Sequence, residues 1–569
     1  MTEFDAFLDK MRVTRVDHLP VIAAFCNRIG LTEVIDRVVP TEMEVSVGTI
    51  IQGMILDTLS GRSPLYRLVE FFKHQDTEAL LGKDVACTSF NDTTVGRAMD
   101  AVFDAGAEKV FSEVAFNASC KFSLDTRHVH FDTTSVNVWG EYEQFASGSD
   151  TLHITYGYSK DHRPDLKQFL IKMLCVGRNI PILGRCEDGN ASDKSINNAV
   201  LSRISKHMAK YGLQPGAFVY IADSAMVTSG NLEMIGDNLF LTRLPFSYNE
   251  AGRVVSEAVA ENNWEEIGTL NETPTTAKRT SAIYSVAEKT VILYQQQYRA
   301  LVIHSTAHDK RRLKRIEREI KASETTLTKL IAQETKQEFY CRPDAESAAS
   351  RLRESGMELH LIAASVEEKV HYTRGRPPKN GPRKVACIRY VLEAKIQEKT
   401  EQIERKRKEA GCFVLLTNIP RQGDMAETGA ELLQAYKEQN GIERNFSFLK
   451  DPLIVNDLFL KKPERIEALG AVLLMALMIW NLIEHTLRLH IKESGGTLPG
   501  WDNKPTRHPT TFMMSIKFLG IQIVRIAGLC RLAEALTDTQ RQYMAALRLS
   551  EADLLCYCRQ LAPEKIPRK

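Results

Sequence analysis

The hydrophobic pattern between residues 128 and 245 constrains the fold of this chain more than any other feature. Apolar and polar residues alternate in three successive runs, HVHFDTTSVNVW, HITYGYSKD and KQFLIKMLCV, and this period of two predicts three strands. A helix is predicted over SDKSINNAVLSRISKHMAKYG, with Ser192 or Asp193 as its N-cap. Two short strands are then predicted over AFVYIAD and NLFLTRLP. The pattern predicts an α/β protein whose mixed sheet is covered by helices.

The rest of the chain has a different organisation. A length of 569 residues is too great for one hydrophobic core, so several domains are expected. Residues 1–118 have helical spacing and are predicted to form a helical domain, either a reader of DNA ends or a plain helical bundle. The predicted sheet occupies residues 119–249, and an insertion of polar strands and a long charged helix occupies residues 250–410. Residues 411–490 are predicted to close the sheet domain, and residues 491–569 to form a helical C-terminal region.

Two aspartates lie in the predicted strands. Asp132 is within HVHFDTTS, and Asp223 ends the apolar run VYIADS. Ligand sites in open α/β sheets gather at the carboxyl ends of strands. A buried aspartate is unfavourable unless it is hydrogen-bonded or bound to a cation. The two aspartates are therefore candidates for a site.

A third acid lies on the predicted helix ETGAELLQAYKEQNGIERNFSFLK. At 100° per residue, an arc of about 60° on this helix contains four polar side chains. They are Tyr436, Gln439, Glu443 and Lys450. A polar face that also carries Phe446 indicates a site rather than a core. Asn440-Gly441 favours a kink, since an interior glycine costs about 1 kcal/mol relative to alanine.

The three acids Asp132, Asp223 and Glu443 suit a hard divalent cation. Mg²⁺ prefers oxygen ligands, and Mn²⁺ can substitute for it. Two such ions would stabilise the attacking and leaving oxygens of an in-line phosphoryl displacement. Tyr436 and Lys450 would then hold flanking phosphates, which fix the register of DNA without reading its sequence.

Several segments resemble the DDE transposases of bacterial insertion sequences. They are HFDTTSVNVWGE, GYSKDHRPDLKQFL, YIADSAM, FLTRLP and AYKEQNGIERNFSFLKDP. The family's Tyr-x2-Arg-x3-Glu-x6-Lys motif falls on Tyr436, Gln439, Glu443 and Lys450 with every spacing kept. The chain departs from the motif at Gln439, where the family usually has arginine. The resemblance covers roughly residues 20–490.

The resemblance implies a ribonuclease H-like core with an insertion before the catalytic glutamate. It implies that Asp132, Asp223 and Glu443 are catalytic and bind the metal ions. It also implies that Tyr436 and Lys450 contact DNA beside the scissile phosphate, with one contact in doubt at Gln439. In such enzymes water attacks first and frees a 3′-hydroxyl at the element end, and that hydroxyl then attacks target DNA. The expected partners are double-stranded DNA and a second copy of the chain in a synaptic homodimer.

Two further places are candidates for DNA contact. Arg374-Gly375-Arg376-Pro377 matches the core of an AT-hook, which enters a narrow A·T minor groove; the alternative is a solvated turn. Trp264 is a candidate for stacking on an unpaired base, although a single tryptophan in a β-rich module is more often part of the core.

Four residues near the predicted strands have two interpretations each. His162 and Arg163, in GYSKDHRPDL, either approach the site or serve ordinary turn chemistry, and turn chemistry is favoured. His128 and His130 precede Asp132 on the same strand. For these histidines, packing or polar contacts are favoured over metal ligation.

The remaining composition predicts a cytoplasmic protein without a membrane span. The start MTEFDAFLDKMRV has no apolar stretch typical of a signal peptide, and the longest uncharged run, Ala468 to Ile483, is short for a span and is predicted to be a buried helix. Eleven scattered cysteines without a CxxC pair indicate reduced thiols. A net charge of +2 argues against indiscriminate coating of nucleic acid. Two other functions stay open: a catalytically decayed repressor that binds its own element, and a nuclease that cuts without strand transfer.

Overall fold

The computed structural model of the chain describes residues 11–61, 67–82, 85–139, 142, 151–177, 179–270, 281–375, 381–451, 460, 462–526, 529–555 and 559–560. The chain divides into two compact units. The first unit combines Met1–Thr242 with Ala435–Lys569, and the second is Arg243–Gln434. The fold is mixed α/β, as the sequence predicts.

The strands, in chain order, are β1 (Met11–Arg15), β2 (His128–Val138), β3 (Lys167–Val176), β4 (Ile180–Glu187), β5 (Val219–Ile221), β6 (Leu239–Leu244), β7 (Glu265–Thr269), β8 (Ile283–Leu293), β9 (Gln296–Ser305), β10 (Glu338–Phe339), β11 (His360–Tyr372), β12 (Val385–Glu398), β13 (Cys412–Thr417), β14 (Leu498–Pro499), β15 (Pro505–Thr506), β16 (Gln522–Ile526), β17 (Leu529–Leu532) and β18 (Arg559–Gln560). The helices are α1 (Leu19–Arg28), α2 (Leu31–Val38), α3 (Val47–Thr58), α4 (Leu68–Lys73), α5 (Thr77–Leu81), α6 (Asp92–Ala105), α7 (Ala107–Phe122), α8 (Asp193–Ala209), α9 (Ser229–Met234), α10 (Asn249–Glu261), α11 (Thr306–Glu334), α12 (Arg342–Glu354), α13 (Thr400–Glu409), α14 (Gly429–Glu438), α15 (Asn440–Leu449), α16 (Pro463–Ser494), α17 (Thr511–Lys517) and α18 (Asp538–Ala546).

One sheet carries the candidate site. Five of its strands lie side by side in the order β4-β3-β2-β5-β6. Strands β2, β3 and β4 form an antiparallel meander, whereas β5 pairs in parallel with both β2 and β6. Helix α8 makes the crossover between β4 and β5, and the Ser192 hydroxyl caps it by accepting a hydrogen bond from the backbone N–H of Ser195. The predicted capping residue and the predicted mixed sheet are both confirmed.

The segment HITYGYSKD is not a strand of this sheet, and that prediction was wrong. It makes one isolated bridge, between Thr155 and Gln168 of β3. The reason is that β4 pairs with β3 from Leu170 onward, so only the end of that edge is left for another segment. The segment instead crosses close to the backbone near Gly189: a Cβ on Gly157 would lie 2.0 Å from the Gly189 carbonyl oxygen.

Strand β4 takes the third place in the meander, although its sequence gives a weak strand signal. Pro181 and Gly184 interrupt it, and both residues are disfavoured inside strands. The chain tolerates Pro181 because β4 lies at an edge of the sheet. Gly184 is required by packing, since a Cβ there would lie 2.8 Å from a methyl carbon of Leu474 on α16.

Helix α16 is the central helix of the first unit. It packs against β4, α6 and α7, and its apolar residues are buried around most of its circumference. Among the described residues it is the one helix long and apolar enough to cross a membrane, but 89% of its most apolar window is buried within the protein. A helix that is hydrophobic all round is found in the core of a large protein or across a membrane, and the burial of α16 within the protein fits the first case. The prediction of a buried helix over Ala468 to Ile483 is confirmed.

The two ends of the chain contain short strands as well as helices. Strand β1 corrects the prediction that residues 1–118 are all-helical, and β14 to β18 lie in the tail from about residue 491, which is predicted to be mostly helical. Strand β1 pairs antiparallel with β16. Strands of four or five residues are too short for an alternating hydrophobic pattern to be recognised, and β1 and β16 lie far apart in the sequence. The prediction of reduced thiols agrees with eight described cysteines, which are free, but Cys530 is disulfide-bonded.

Strands of two sheets lie in the second unit. Strands β13, β9, β8 and β7 lie side by side in that order, all antiparallel. A second sheet has the order β10-β12-β11, and its core is apolar residues of α11, α12 and the two long strands, including Leu327, Ala348, Ile362 and Leu392. The unit extends beyond the predicted insertion of residues 250–410, because it includes β13, which pairs with β9 along its whole length.

Candidate metal centre

Backbone pairing places Asp132 and Asp223 side by side. Strands β2 and β5 are parallel, and the last pair in their register is His130 with Ile221. Asp132 and Asp223 each follow this pair by two residues, with Asp223 just beyond the end of β5, so the same register would set Asp223 opposite Asp132. Neighbouring strands are about 4.8 Å apart, and paired residues of parallel strands point to the same face. The two predicted catalytic aspartates therefore lie close together, Asp132 within β2 and Asp223 at the carboxyl end of β5.

Local hydrogen bonds orient both aspartates. The backbone N–H of Thr133 donates to Asp132 Oδ1 over 2.7 Å. Asp223 follows β5 directly, and its Oδ1 accepts a hydrogen bond from the backbone N–H of Ala225 over 3.1 Å, which caps the short 3₁₀ turn Ser224–Met226. The Thr242 hydroxyl of β6 donates to the Asp223 carbonyl oxygen over 2.7 Å. The neighbouring strand thus fixes the backbone that carries Asp223.

Two residues that the sequence analysis did not assign to the site complete the polar cluster. The Lys160 ammonium donates to the carbonyl oxygen and to the hydroxyl oxygen of Thr133, each over 2.7 Å. The same ammonium lies 3.9 Å from Asp132 Oδ1 and 3.5 Å from Asp193 Oδ2. The Thr133 hydroxyl in turn donates to Asp193 Oδ1. The side chains of Lys160, Asp132 and Asp193 remain 29%, 24% and 35% exposed, so an ion from solvent can reach the cluster.

The environment disfavours negative charge on both strand aspartates. Burial raises the pKa of Asp132 to about 7, against the lowering effects of Lys160 and the Thr133 N–H, while the charges of Asp223 and Asp193 raise the pKa further. Burial also raises the pKa of Asp223, where the Ala225 N–H acts in the opposite direction. Crowded carboxylates with raised pKa values are stabilised in their charged form by a nearby cation. Their oxygen donors fit Mg²⁺ or Mn²⁺.

Glu443 does not complete a cluster of three carboxylates. Its side chain is exposed on α15, a helix that packs against β2. Among the described residues, no group of three or more His, Cys, Asp or Glu side chains is arranged to hold a metal ion. The structure therefore brings Asp132 and Asp223 together and leaves Glu443 on the neighbouring helix.

Two contacts hold α15 near the sheet. Asn445 is buried, and its amide donates to the Asn179 carbonyl oxygen over 2.7 Å while its Oδ1 accepts from Asn481 over 3.0 Å. At the end of α15, the Lys450 ammonium lies 2.7 Å from Asp161 Oδ1. Lys450, a predicted DNA contact, thus forms an ion pair with the turn that also carries Lys160.

The predicted single helix of residues 428–450 is two helices. Helix α14 ends at Glu438 and α15 begins at Asn440, with Gln439 between them. The N–H of Gln439 bonds to the carbonyl of Tyr436, and that of Ile442 to the carbonyl of Gln439, which is a tighter turn than an α-helix has. The interruption lies at Gln439, one residue before Asn440-Gly441, where the sequence predicts a kink. Tyr436 and Gln439, both half-buried, precede the kink and Glu443 follows it.

The other predicted DNA-binding residues lie in the second unit. Trp264 is partly buried, and its ring packs edge-on against His304 with centroids 6.0 Å apart. Arg374 is exposed in the turn that follows β11. Arg376 lies outside the described residues. The DNA contacts of all three stay predictions.

Of the four residues with two interpretations, His128 is half-buried at the start of β2. Arg163 forms a two-point ion pair with Asp165, at 2.8 and 2.7 Å, and lies over the Trp139 ring. His162 adopts φ 58°, a left-handed turn conformation. His130 is fully buried, and burial lowers its pKa to about 3. Neither ring nitrogen of His130 has a hydrogen-bond partner within the described part of the chain.

Sequence reasoning missed Lys160 and Asp193 as members of the cluster. Both lie in segments that were singled out, Lys160 in GYSKDHRPDL and Asp193 at the start of a helix. The sequence signal that points to Lys160 is the polar triplet Ser-Lys-Asp, which makes this segment too polar for the interior of a strand.

Part of the first unit matches a known protein family. Residues 11–116 match the family described as Domain of unknown function (DUF4277). This match runs from β1 into α7 and ends before Asp132. Among curated proteins, none matches the chain significantly.

Proposed function

We propose that this chain is a DDE-type DNA transposase that cleaves the ends of an insertion sequence and joins them to target DNA. The observation that carries the proposal is the parallel register of β2 and β5, which brings Asp132 and Asp223 together. Burial and the repulsion between the two carboxylates disfavour their charged form, and a bound divalent cation would offset both effects. Carboxylate oxygens are also the ligands that such cations prefer. Helix α15, with the motif residues Glu443 and Lys450, packs on the same strand.

Two further observations support the proposal. The antiparallel meander, the crossover helix α8 and the parallel strands β5 and β6 agree with a ribonuclease H-like core. The DUF4277 match supports the same conclusion, because that domain family is commonly found in transposases. The partners that follow are double-stranded DNA and a second copy of the chain in the synaptic complex, within the bacterial cytoplasm.

Each residue of the site has a role in this chemistry. Two Mg²⁺ ions, held by Asp132, Asp223 and Glu443, would stabilise the attacking and leaving oxygens at the scissile phosphate. The Thr133 and Ala225 N–H groups orient the two aspartates. Tyr436, Gln439 and Lys450 bind phosphates flanking the cut and so set the register of the DNA. Glu443 is exposed on α15 in the free protein, so the proposal requires this helix to shift in the DNA complex and bring Glu443 to the aspartates.

The test is a cleavage and joining assay on labelled DNA that spans both boundaries of the element encoding this chain. The wild-type protein should nick the element ends in Mg²⁺ and join the free 3′-hydroxyls to a plasmid, and EDTA should stop both reactions. Asp132→Asn should bind the ends without cutting them. The control is Asp125→Asn, which alters an exposed aspartate just before β2 and should cut normally.

The same assay separates the two other functions. Cutting without joining identifies a nuclease, and binding without cutting by the wild-type protein identifies a decayed repressor. Either result contradicts the proposal.

A further inference from the structure

Lys160 occupies the place in the candidate site where a cation is needed before any metal ion binds. Its ammonium lies 3.9 Å from Asp132 Oδ1 and 3.5 Å from Asp193 Oδ2, and the register of β2 and β5 brings Asp223 beside Asp132. Like charges this close in a partly buried setting are unfavourable without a counter-ion. The fold therefore places its own positive charge at the cluster.

The contacts of Lys160 fix its ammonium beside the aspartates without covering them. Its two short hydrogen bonds go to the carbonyl and hydroxyl oxygens of Thr133, each 2.7 Å long. Its distance to Asp132 Oδ1 is 3.9 Å, which is too long for a hydrogen bond. The charge is thus close enough to offset repulsion, while the Asp132 oxygens keep their capacity to bind an ion.

The surrounding structure holds Lys160 from several sides. Its backbone N–H donates to the Ser135 hydroxyl of β2 over 3.1 Å. The next residue, Asp161, accepts from Asn137 of β2 and pairs with Lys450 of α15. Asp193, in the first turn of α8, lies 3.5 Å from the ammonium and accepts a hydrogen bond from Thr133. A surface lysine with no role in the site would not need anchors on a strand and two helices.

We propose that Lys160 is the resident cation of the carboxylate cluster, a positioning residue that Thr133 and Asp193 anchor beside Asp132. It holds the two strand aspartates together in the metal-free protein and moderates the attraction of the cluster for divalent ions. Asp193 acts through Lys160 and Thr133 and is not a metal ligand. The part of this inference that concerns metal ions rests on the proposed function; the part that concerns the metal-free protein does not.

The first arm of the test uses the metal-free full-length protein. In EDTA, Lys160→Gln should lower the melting temperature by about 2–4 °C, because it leaves the carboxylates without their counter-ion. In an Asp132→Asn background the same substitution should have a clearly smaller effect, since one of the repelling charges is gone. Lys160→Arg keeps the charge and should restore most of the loss. The matched control is Lys194→Gln, an exposed lysine on α8 beside Asp193, which should change nothing.

The second arm measures Mn²⁺ binding by calorimetry. Lys160→Gln should bind Mn²⁺ more tightly than wild type, by about tenfold, because a positive charge beside the site is removed. A residue that only supports the fold would have the opposite effect and weaken Mn²⁺ binding when it is lost.

Three results would overturn the inference. They are an unchanged melting temperature of Lys160→Gln in EDTA, an equal loss in the Asp132→Asn background, and weaker Mn²⁺ binding by Lys160→Gln. If Lys160→Gln and Lys160→Arg both fail to fold, the side chain has a steric role and the inference is also wrong. If the wild-type protein binds no Mn²⁺, the proposed function fails at its metal site, while the EDTA arm still decides the role of Lys160.

Discussion

The strand aspartates and the helix glutamate of the candidate site are positioned by different means. Asp132 and Asp223 are set side by side by the backbone register of β2 and β5. Glu443 is positioned only through α15, which side-chain contacts of Asn445 and Lys450 hold near the sheet. A register in a buried sheet cannot slip without turning every side chain to the other face, whereas a helix can shift on its contacts. Asp132 and Asp223 thus form a preformed half of the site, and Glu443 on α15 forms an adjustable half.

The largest effect is expected from the adjustable half during catalysis. Glu443→Gln should reduce cleavage by more than about 10²-fold, on the scale seen for removal of a single electrostatic catalytic group. DNA binding should be kept, because the substitution preserves shape. Rates are measured on labelled element ends, with Glu438→Gln as the neighbouring control. Near-normal nicking by Glu443→Gln would show that another acid, such as Glu438, is the third ligand.

The preformed half should make the stability of the folded protein depend on pH. The carboxyl of Asp132 has a pKa of about 7 in the folded protein and 3.8 as its reference value. Between these values the folded protein holds a proton that the unfolded chain has lost, so stability falls as pH rises from about 4 to 7 and then levels off. The effect is at most about 4 kcal/mol, at ~1.4 kcal/mol per tenfold change in proton affinity.

Melting curves in EDTA from pH 4 to 8 test this expectation. Asp132→Asn lacks the titrating group and should gain stability relative to wild type as the pH rises. Parallel curves for the two proteins would mean that Asp132 is not held in a charge-disfavouring environment.

The anchor of α15 gives a smaller effect. Asn445→Ala removes an amide that bonds to the Asn179 carbonyl and accepts from Asn481, leaving buried polar groups unpaired. The expected loss is about 1–3 kcal/mol in the free energy of unfolding. Urea titration measures it, with Ser447→Ala, an exposed position on the same helix, as the control. If Asn445→Ala is as stable as the control, the anchor does not position α15.

The sequence predicted the parts of the fold that depend on local patterns. Strands β2 and β3, helix α8 with its Ser192 cap and the buried core of α16 follow from period, capping residues and apolar runs. Strand β4 is not predicted because Pro181 and Gly184 are residues that sequence patterns treat as disfavoured in strands. The need for glycine at position 184 is explained only by its close approach to Leu474 in the folded protein. The pairing of β1 with β16 joins segments about 500 residues apart, and no local pattern reports it.

The candidate site divides in the same way. Asp132 and Asp223 were predicted because each lies at a recognisable position of a strand. Lys160 and Asp193 join them through three-dimensional packing of a turn and a helix start, which the spacing of residues does not encode. Glu443 was placed by motif spacing along one helix, but the kink at Gln439 changes the relation between Tyr436 and Glu443.

The smallest effect concerns the Lys450 ammonium, which is paired with Asp161 in the free protein. Lys450→Ala should weaken binding of element ends and reduce the salt dependence by about 0.9 in the logarithmic slope, the value of one phosphate contact. Asp161→Asn should have the opposite effect, because it frees the ammonium for DNA. Binding is measured across a salt series. Equal slopes for all three proteins would show that Lys450 does not contact phosphate.

The most direct test of the preformed half is Mn²⁺ binding in the absence of DNA, followed by electron paramagnetic resonance. We expect Asp132→Asn and Asp223→Asn each to abolish tight Mn²⁺ binding, because the metal site needs both carboxylates. Glu443→Gln should bind Mn²⁺ nearly as well as wild type, since Glu443 is exposed in the free protein and is proposed to reach the aspartates only in the DNA complex. Wild-type Mn²⁺ binding by Asp132→Asn would place the metal site elsewhere in the molecule and contradict the proposed site.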